Sequence, residues 1–214
     1  GDFYVKDFNI DAKIGDLSDF DLHYGEGFET FDKELIERLL TLDKGLTLFH
    51  GVPGSGKTTY VRHIIREIKK KSNDNNILYF PPTMVASIVE PNFINFISEW
   101  ASTSEGKNYL LIEDAEPLLE SRDHTRNIGI TNLLNMTDGI LNDVLEIQII
   151  ATFNTNLSNI DSAILRPERL LARKEFTELN VKDGKILAEK IGLDVNLIDK
   201  SMSLADIYAM KKET

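Results

Sequence analysis

The chain has 214 residues, 42% of them hydrophobic and 28% charged, with a formal charge of −11. That length suits one substantial core with a small appendage, no stretch reaches the roughly 20 apolar residues of a membrane helix, and the acidic balance disfavours nucleic acid and anionic membrane, which bind positive surfaces. The absence of cysteine excludes disulfides, thiolate zinc sites and a cysteine nucleophile, and with no apolar leader the expected setting is cytoplasmic.

Residues 1–30 read as an acidic N-terminal arm laid extended on a domain. Positions 1–32 hold nine Asp or Glu against Lys6 and Lys13, with aromatics scattered at Phe3, Tyr4, Phe8, Phe20, Tyr24 and Phe28. Leu35, Ile36, Leu39 and Leu40 then share one face at a spacing near 3.6, which predicts a short helix over Phe31–Asp43. Leu46-Thr47-Leu48-Phe49-His50 is a brief apolar run leading straight into glycine, as a buried parallel strand does. Val61, Ile64, Ile65 and Ile68 recur at helical spacing, and Arg62, Arg66, Lys69, Lys70 and Lys71 fall on the opposite, solvated face.

The alternation continues. Ile77–Phe80 reads as a strand stopped by Pro81-Pro82, Phe93–Trp100 as a helix, Tyr109–Ile112 as a buried strand, Asn127–Met136 as a helix despite Gly129, and Ile147–Thr152 as a strand; Ile164–Leu171 follows a turn. Alternating strands and helices with short connections imply an α/β domain over 31–177, its parallel sheet covered by helices on both faces. Residues 178–214 have helical periodicity only, punctuated by Asp183-Gly184 and Gly192, and form a small helical appendage.

Gly51-Val52-Pro53-Gly54-Ser55-Gly56-Lys57-Thr58, followed by Thr59, fits G-x-x-x-x-G-K-[ST] between a predicted strand and a predicted helix, the context a P-loop needs. Glycines let the backbone curl around phosphate with its N–H groups inward, and the helix that starts there turns its positive end to the same charge. Lys57 is expected to reach the β- and γ-phosphates, and Thr58 to offer a hydroxyl to Mg²⁺. The bland alternative is a glycine-rich turn with an exposed lysine.

Tyr109-Leu110-Leu111-Ile112 runs into Glu113-Asp114, and ligands of parallel sheets sit beyond the C-terminal strand ends. One acid can hold Mg²⁺ through water, and the other can orient or deprotonate the water that attacks the γ-phosphate. Glu113 is expected on the metal side and Asp114 as the base. The alternative register makes Asp114 the metal-side acid and Glu116 the base; Glu113-Asp114 is preferred because only then do four apolar residues run unbroken into the pair.

Three later segments carry a resemblance. Leu133-Leu134-Asn135-Met136-Thr137-Asp138-Gly139-Ile140 is similar to L-L-N-x-x-D-G, Ile149-Ile150-Ala151-Thr152-Phe153-Asn154 to a strand that ends in a sensor asparagine, and Ile160-Asp161-Ser162-Ala163-Ile164-Leu165-Arg166-Pro167-Glu168-Arg169-Leu170 to L-D-P-A-L-L-R-P-G-R. From Thr47 to Phe176 the chain thus resembles the AAA+ ATPases, in particular the classical AAA branch and, within it, the mitochondrial translocases of the Rieske protein with their bacterial relatives. The resemblance implies a P-loop ATPase fold with a short C-terminal lid, ATP and Mg²⁺ as ligands, and Asn154 as the sensor. It implies that Arg166 and Arg169 are arginine fingers acting on a neighbour's nucleotide in a homo-oligomeric ring formed when ATP is bound. A finger's permanently charged guanidinium stabilises charge on the transferring phosphoryl group.

The departures are specific. The usual Asp-Glu order is inverted to Glu113-Asp114, as in the translocase branch, and Asp114 is one methylene shorter than the usual base. Glu168 replaces a glycine between the fingers. No arginine follows Arg173, whereas Ser203-Leu204-Ala205-Asp206-Ile207 resembles the branch's lid. Tyr24-Gly25-Glu26-Gly27-Phe28 sits where the family's adenine segment lies, with an ordinary packed turn as the other reading. Val89-Glu90-Pro91-Asn92 has no aromatic-hydrophobic-glycine triplet, so threading of a substrate is not expected. Arg122, Asp123, His124 and Arg126 read as a solvated loop, with a second inner loop or a contact to a neighbour as the other reading.

The function expected is Mg-dependent ATP hydrolysis coupled to assembly or remodelling of an unidentified protein partner. The rivals are a weakly hydrolysing ATP-dependent assembly switch, a P-loop small-molecule kinase and a nucleic-acid machine.

Overall fold

The short apolar runs assemble into one parallel sheet of five strands: β1 (Gly45–Gly51), β2 (Asn76–Phe80), β3 (Asn108–Ile112), β4 (Ile147–Phe153) and β5 (Leu170–Phe176). They lie in the order β2-β3-β4-β1-β5, so β1, which leads into the glycine-rich segment, is flanked by β4 and β5. The computed structural model describes residues 19–90, 92–103, 105–116, 143, 145–155, 165–167 and 169–213. The expected helix over 127–136 and the 133–140 segment lie outside them, as do Arg122, Asp123, His124 and Arg126.

Side chains alternate across a strand, and the sheet uses both faces. Leu46, Leu48, Leu110, Ile112, Ile149 and Ala151 face one core, closed by a 3₁₀ helix (Pro82–Val89) and by α4 (Phe93–Ala101). Phe49, Tyr109, Leu111 and Ile150 face the other, closed by α2 (Phe28–Thr41) and α3 (Lys57–Lys71). Burial on both faces is why these strands read as continuous apolar runs.

Helix α2 begins three residues before the expected Phe31, after Gly27 at φ 82. It is tied to α3 by a buried carboxylate: Asp32 accepts from the Tyr60 hydroxyl at 2.9 Å and lies 3.1 Å from Nε2 of His63. At its other end, Gln148 Nε2 donates to the carbonyls of Leu39 and Leu42 at 2.7 and 2.6 Å, and Tyr109 donates to Leu39 at 2.9 Å. These bonds satisfy carbonyls that a helix end leaves without partners.

One expectation is corrected, and one strand goes unassigned in the sequence. Within the arm, Phe20–Tyr24 forms a helical turn, α1, not an extended segment. Leu170–Phe176 is a full strand paired to β1; at the sheet edge its exposed Arg173 and Glu175 break the apolar signature.

After β5 a third core gathers Leu179, Leu187, Ile198, Met202, Leu204 and Ile207, joined by Leu22 and Tyr24 of α1. It is built from α5 (Val181–Ile191), a 3₁₀ turn (Val195–Leu197) and α6 (Leu204–Glu213), with a single bridge from Leu179 to Met202. Asn180 caps α5 by accepting from Asp183 N, and Gly192 closes it in the left-handed region. Ser203 caps α6, accepting from Asp206 N at 3.2 Å. Lys190 pairs with Asp19, tying this helical lid to the segment ahead of α1. Among the described residues, no helix is long and apolar enough to cross a membrane.

Candidate functional site

The end of β1 turns into α3 through Gly51, Gly54 and Gly56, all at positive φ. At Gly51 a Cβ would lie 2.0 Å from the Phe176 carbonyl oxygen, so the backbone of β5 leaves room for glycine only. At Gly54 a Cβ would lie 2.9 Å from that of Ala205, and the Gly54 carbonyl accepts from Ala205 N at 3.0 Å. The loop is therefore bonded directly to the start of α6.

Ser55 Oγ donates to the Val52 carbonyl at 2.7 Å and holds the curl closed. Lys57, 5% exposed, donates to the carbonyls of Gly51 and Val52 at 3.0 and 2.7 Å. Burial pushes its ammonium below the usual lysine range, and the nearby charges of Asp114 and Glu116 oppose that shift. Val52, Pro53, Thr58 and Thr59 are exposed. A cavity of about 390 Å³ opens over the loop; Lys57, Thr58, Thr59 and Asn154 line its floor, and His23, Tyr24 and Tyr208 line its outer wall.

The wall is cross-braced. Tyr24 donates to the Gly56 carbonyl at 3.3 Å, and the His23 and Tyr208 rings stack with Nε2 and hydroxyl 2.7 Å apart. His23 and Tyr208 were not legible as site residues, because α1 and α6 meet only in the fold.

The strand ends meet beside the loop. Asp114 lies at φ 49, a left-handed backbone that costs a non-glycine residue on the order of 1 kcal/mol. Its N–H donates to Thr152 Oγ1 at 3.0 Å, and its carboxylate accepts from Asn154 Nδ2 at 2.8 Å. The Asn154 N–H bonds Glu116. Glu113 points elsewhere: it accepts from the Tyr79 hydroxyl at 2.7 Å, and its Oε1 is buried with no hydrogen-bond partner. The geometry thus brings Lys57, Asp114 and Asn154 together, with Glu116 close by and Glu113 to the β2 side.

Arg166 and Arg169 are not brought to this loop. They lie at the start of β5, where Leu46 N donates to the Arg169 carbonyl at 3.0 Å, and β1 and β5 are parallel. The loop is five strand residues further on, roughly 16 Å at 3.3 Å per residue. Arg166 is exposed and Arg169 half-buried.

A parallel sheet in which an inner strand, β1, ends in a phosphate loop opening a helix, with acids at the end of β3 on the far side of β4, defines a P-loop nucleoside-triphosphatase fold. Residues 47–178 match the family described as ATPase family associated with various cellular activities (AAA). That span is more than half of the chain, and the protein belongs to this family. No curated protein matches the chain in sequence. Among solved structures, a chain of the E. coli MS115-1 HORMA:CdnC:Trip13 complex superposes with a TM-score of 0.63 at 19% identity, covering 89% of this chain and 83% of that one. At that identity the likeness concerns the fold, and since 696 solved chains match, the fold by itself names no partner.

Proposed function

We propose that this protein hydrolyses ATP with Mg²⁺ at sites completed between copies of the chain, and that the cycle assembles or remodels a protein partner. The observation that carries the reading is the distance between the glycine loop and the arginines of the same chain. Permanently charged side chains at the far end of the sheet can serve a phosphate only on a neighbouring copy.

The residues fit the ligands. Lys57 would exchange the carbonyls of Gly51 and Val52 for phosphate oxygens, and the backbone N–H groups from Gly54 to Thr58, at the positive end of α3, would bind the remaining charge. Thr58, in the first turn of α3, and Glu113, with its unpartnered Oε1, suit a hydrated cation, which supplies neutralisation of phosphate charge. Among the described residues no group of three or more His, Asp or Glu could hold a metal unaided, so the cation would arrive with the nucleotide, as Mg²⁺ commonly does. Asp114, oriented by Asn154, would accept a proton from the water that attacks the γ-phosphorus. The bond to the β-γ bridging oxygen breaks, giving ADP and inorganic phosphate.

The protein partner rests on analogy: the solved complex holds Trip13 together with HORMA and CdnC. One observation favours a second reading, a slow-hydrolysing assembly switch: the Asp114 carboxylate is short and already engaged by Asn154.

The deciding measurement is steady-state ATPase activity per subunit over a wide range of protein concentration, with Lys57→Ala as blank. Activity should climb with concentration and fall at least about 10³-fold in an Arg166→Ala/Arg169→Ala double variant, the scale of a lost arginine finger. Activity indifferent to both would sink the shared site. Nucleotide binding without turnover would select the switch.

A further inference from the structure

We infer that Tyr79 is a positioning residue for the metal-side acid, restraining the longer side chain of Glu113. The inference rests on the ATPase reading above and deepens it. Leu78 and Phe80 are buried in the core on the α4 side, whereas Ile77 packs towards α2 and α3. By alternation Tyr79 therefore faces α3. Tyr79 is paired in register with Leu111, which lies in that same core. Two residues beyond Leu111, Glu113 continues on that face.

The contact is direct. The Tyr79 hydroxyl donates to Glu113 Oε2 at 2.7 Å, while Oε1 is left buried and unpartnered. One carboxylate oxygen is thus held by a ring mounted on the neighbouring strand, and the other has no hydrogen-bond partner of its own. Tyr79 itself is 45% exposed.

The two acids are then restrained by different elements. Asp114, the shorter, is fixed by Thr152 and Asn154 of β4 and its end. Glu113 carries an extra methylene and an extra rotatable bond, and the phenol removes that freedom. Orienting a ligand group through an outer hydrogen bond is worth roughly 10–100-fold in metal affinity at comparable sites.

The test is equilibrium binding of a fluorescent ATP analogue, titrated with Mg²⁺, on the wild-type chain, Tyr79→Phe, Glu113→Gln and the double variant. Tyr79→Phe should leave metal-free nucleotide affinity unchanged and raise the half-saturating Mg²⁺ about tenfold. The double variant should be no worse than Glu113→Gln alone, because the phenol acts only through that carboxylate. If Glu113→Gln shifts the Mg²⁺ midpoint and Tyr79→Phe does not, the positioning role is overturned while the metal assignment stands. If neither variant shifts it, Glu113 is not the metal-side acid and both fall. Tyr79→Phe keeps the ring, and an unchanged thermal midpoint verifies that the fold is intact.

Discussion

At the residue scale, the site concentrates its cost on Asp114. Its left-handed backbone is held by an N–H bond to Thr152 and a carboxylate bond to Asn154; strained residues persist where their surroundings over-determine them. Asn154 thus orients the acid, beside the nucleotide contact proposed for it. Asn154→Ala should lower kcat about 10²-fold and leave nucleotide affinity within about threefold, read by steady-state turnover beside equilibrium binding. A parallel loss of affinity would mean that the amide mainly holds substrate. The P-loop is legible from residue type and spacing, whereas Asn154 and both arginines are singled out by the family resemblance alone. Tyr79, Thr152, His23 and Tyr208 are marked by neither, since such a residue in a strand or helix carries no motif and its side-chain partner in the site lies 34 or more residues away in sequence.

At the element scale, α2 and α3 are joined by a polar lock inside an apolar layer. Tyr60 is fully buried, and burial followed by the Asp32 carboxylate pushes its hydroxyl well above the usual range, so it stays a neutral donor. Periodicity shows the apolar stripes of both helices but leaves Asp32 as one more acid near the N-terminus and assigns nothing to His63. Asp32→Ala should destabilise the protein by about 2–3 kcal/mol, because the Tyr60 donor would be left unsatisfied; adding Tyr60→Phe should recover part of that loss in urea denaturation. Full additivity of the two would argue against the lock. Strand β5 shows the converse difficulty. Arg173, Lys174 and Glu175 mask an edge strand, and Lys174 is accommodated by lying 5.0 Å above the Phe28 ring and 5.2 Å above that of Phe31.

At the scale of the whole molecule, the glycine loop touches the lid through Gly54 and Ala205 and touches α1 through Tyr24. A change in the loop is thereby felt in both flanking segments. The arginines sit at the opposite end of the sheet, which leads to a mixing experiment. On the proposed reading, Lys57→Ala subunits would lack a working phosphate site but keep their arginines, and Arg166→Ala/Arg169→Ala subunits would keep the site but lack fingers. Each should be inactive alone, and a mixture should regain about a quarter or more of wild-type turnover per site if neighbours complete each other's centres. No recovery across a range of ratios would remove the shared site.

The sequence alone determined the parallel α/β sheet, the phosphate loop and its lysine, and the acids that follow β3. Each depends on local pattern: runs buried on both faces, glycines where only positive φ and close approach are allowed, and carboxylates at a strand end. The tertiary structure decided which oxygen of each acid is held and by what, that α1 is helical and packs with the lid, and that the arginines stand a sheet's length from their own loop. These depend on strand order, register and the meeting of distant segments, which long-range packing sets and no local periodicity encodes.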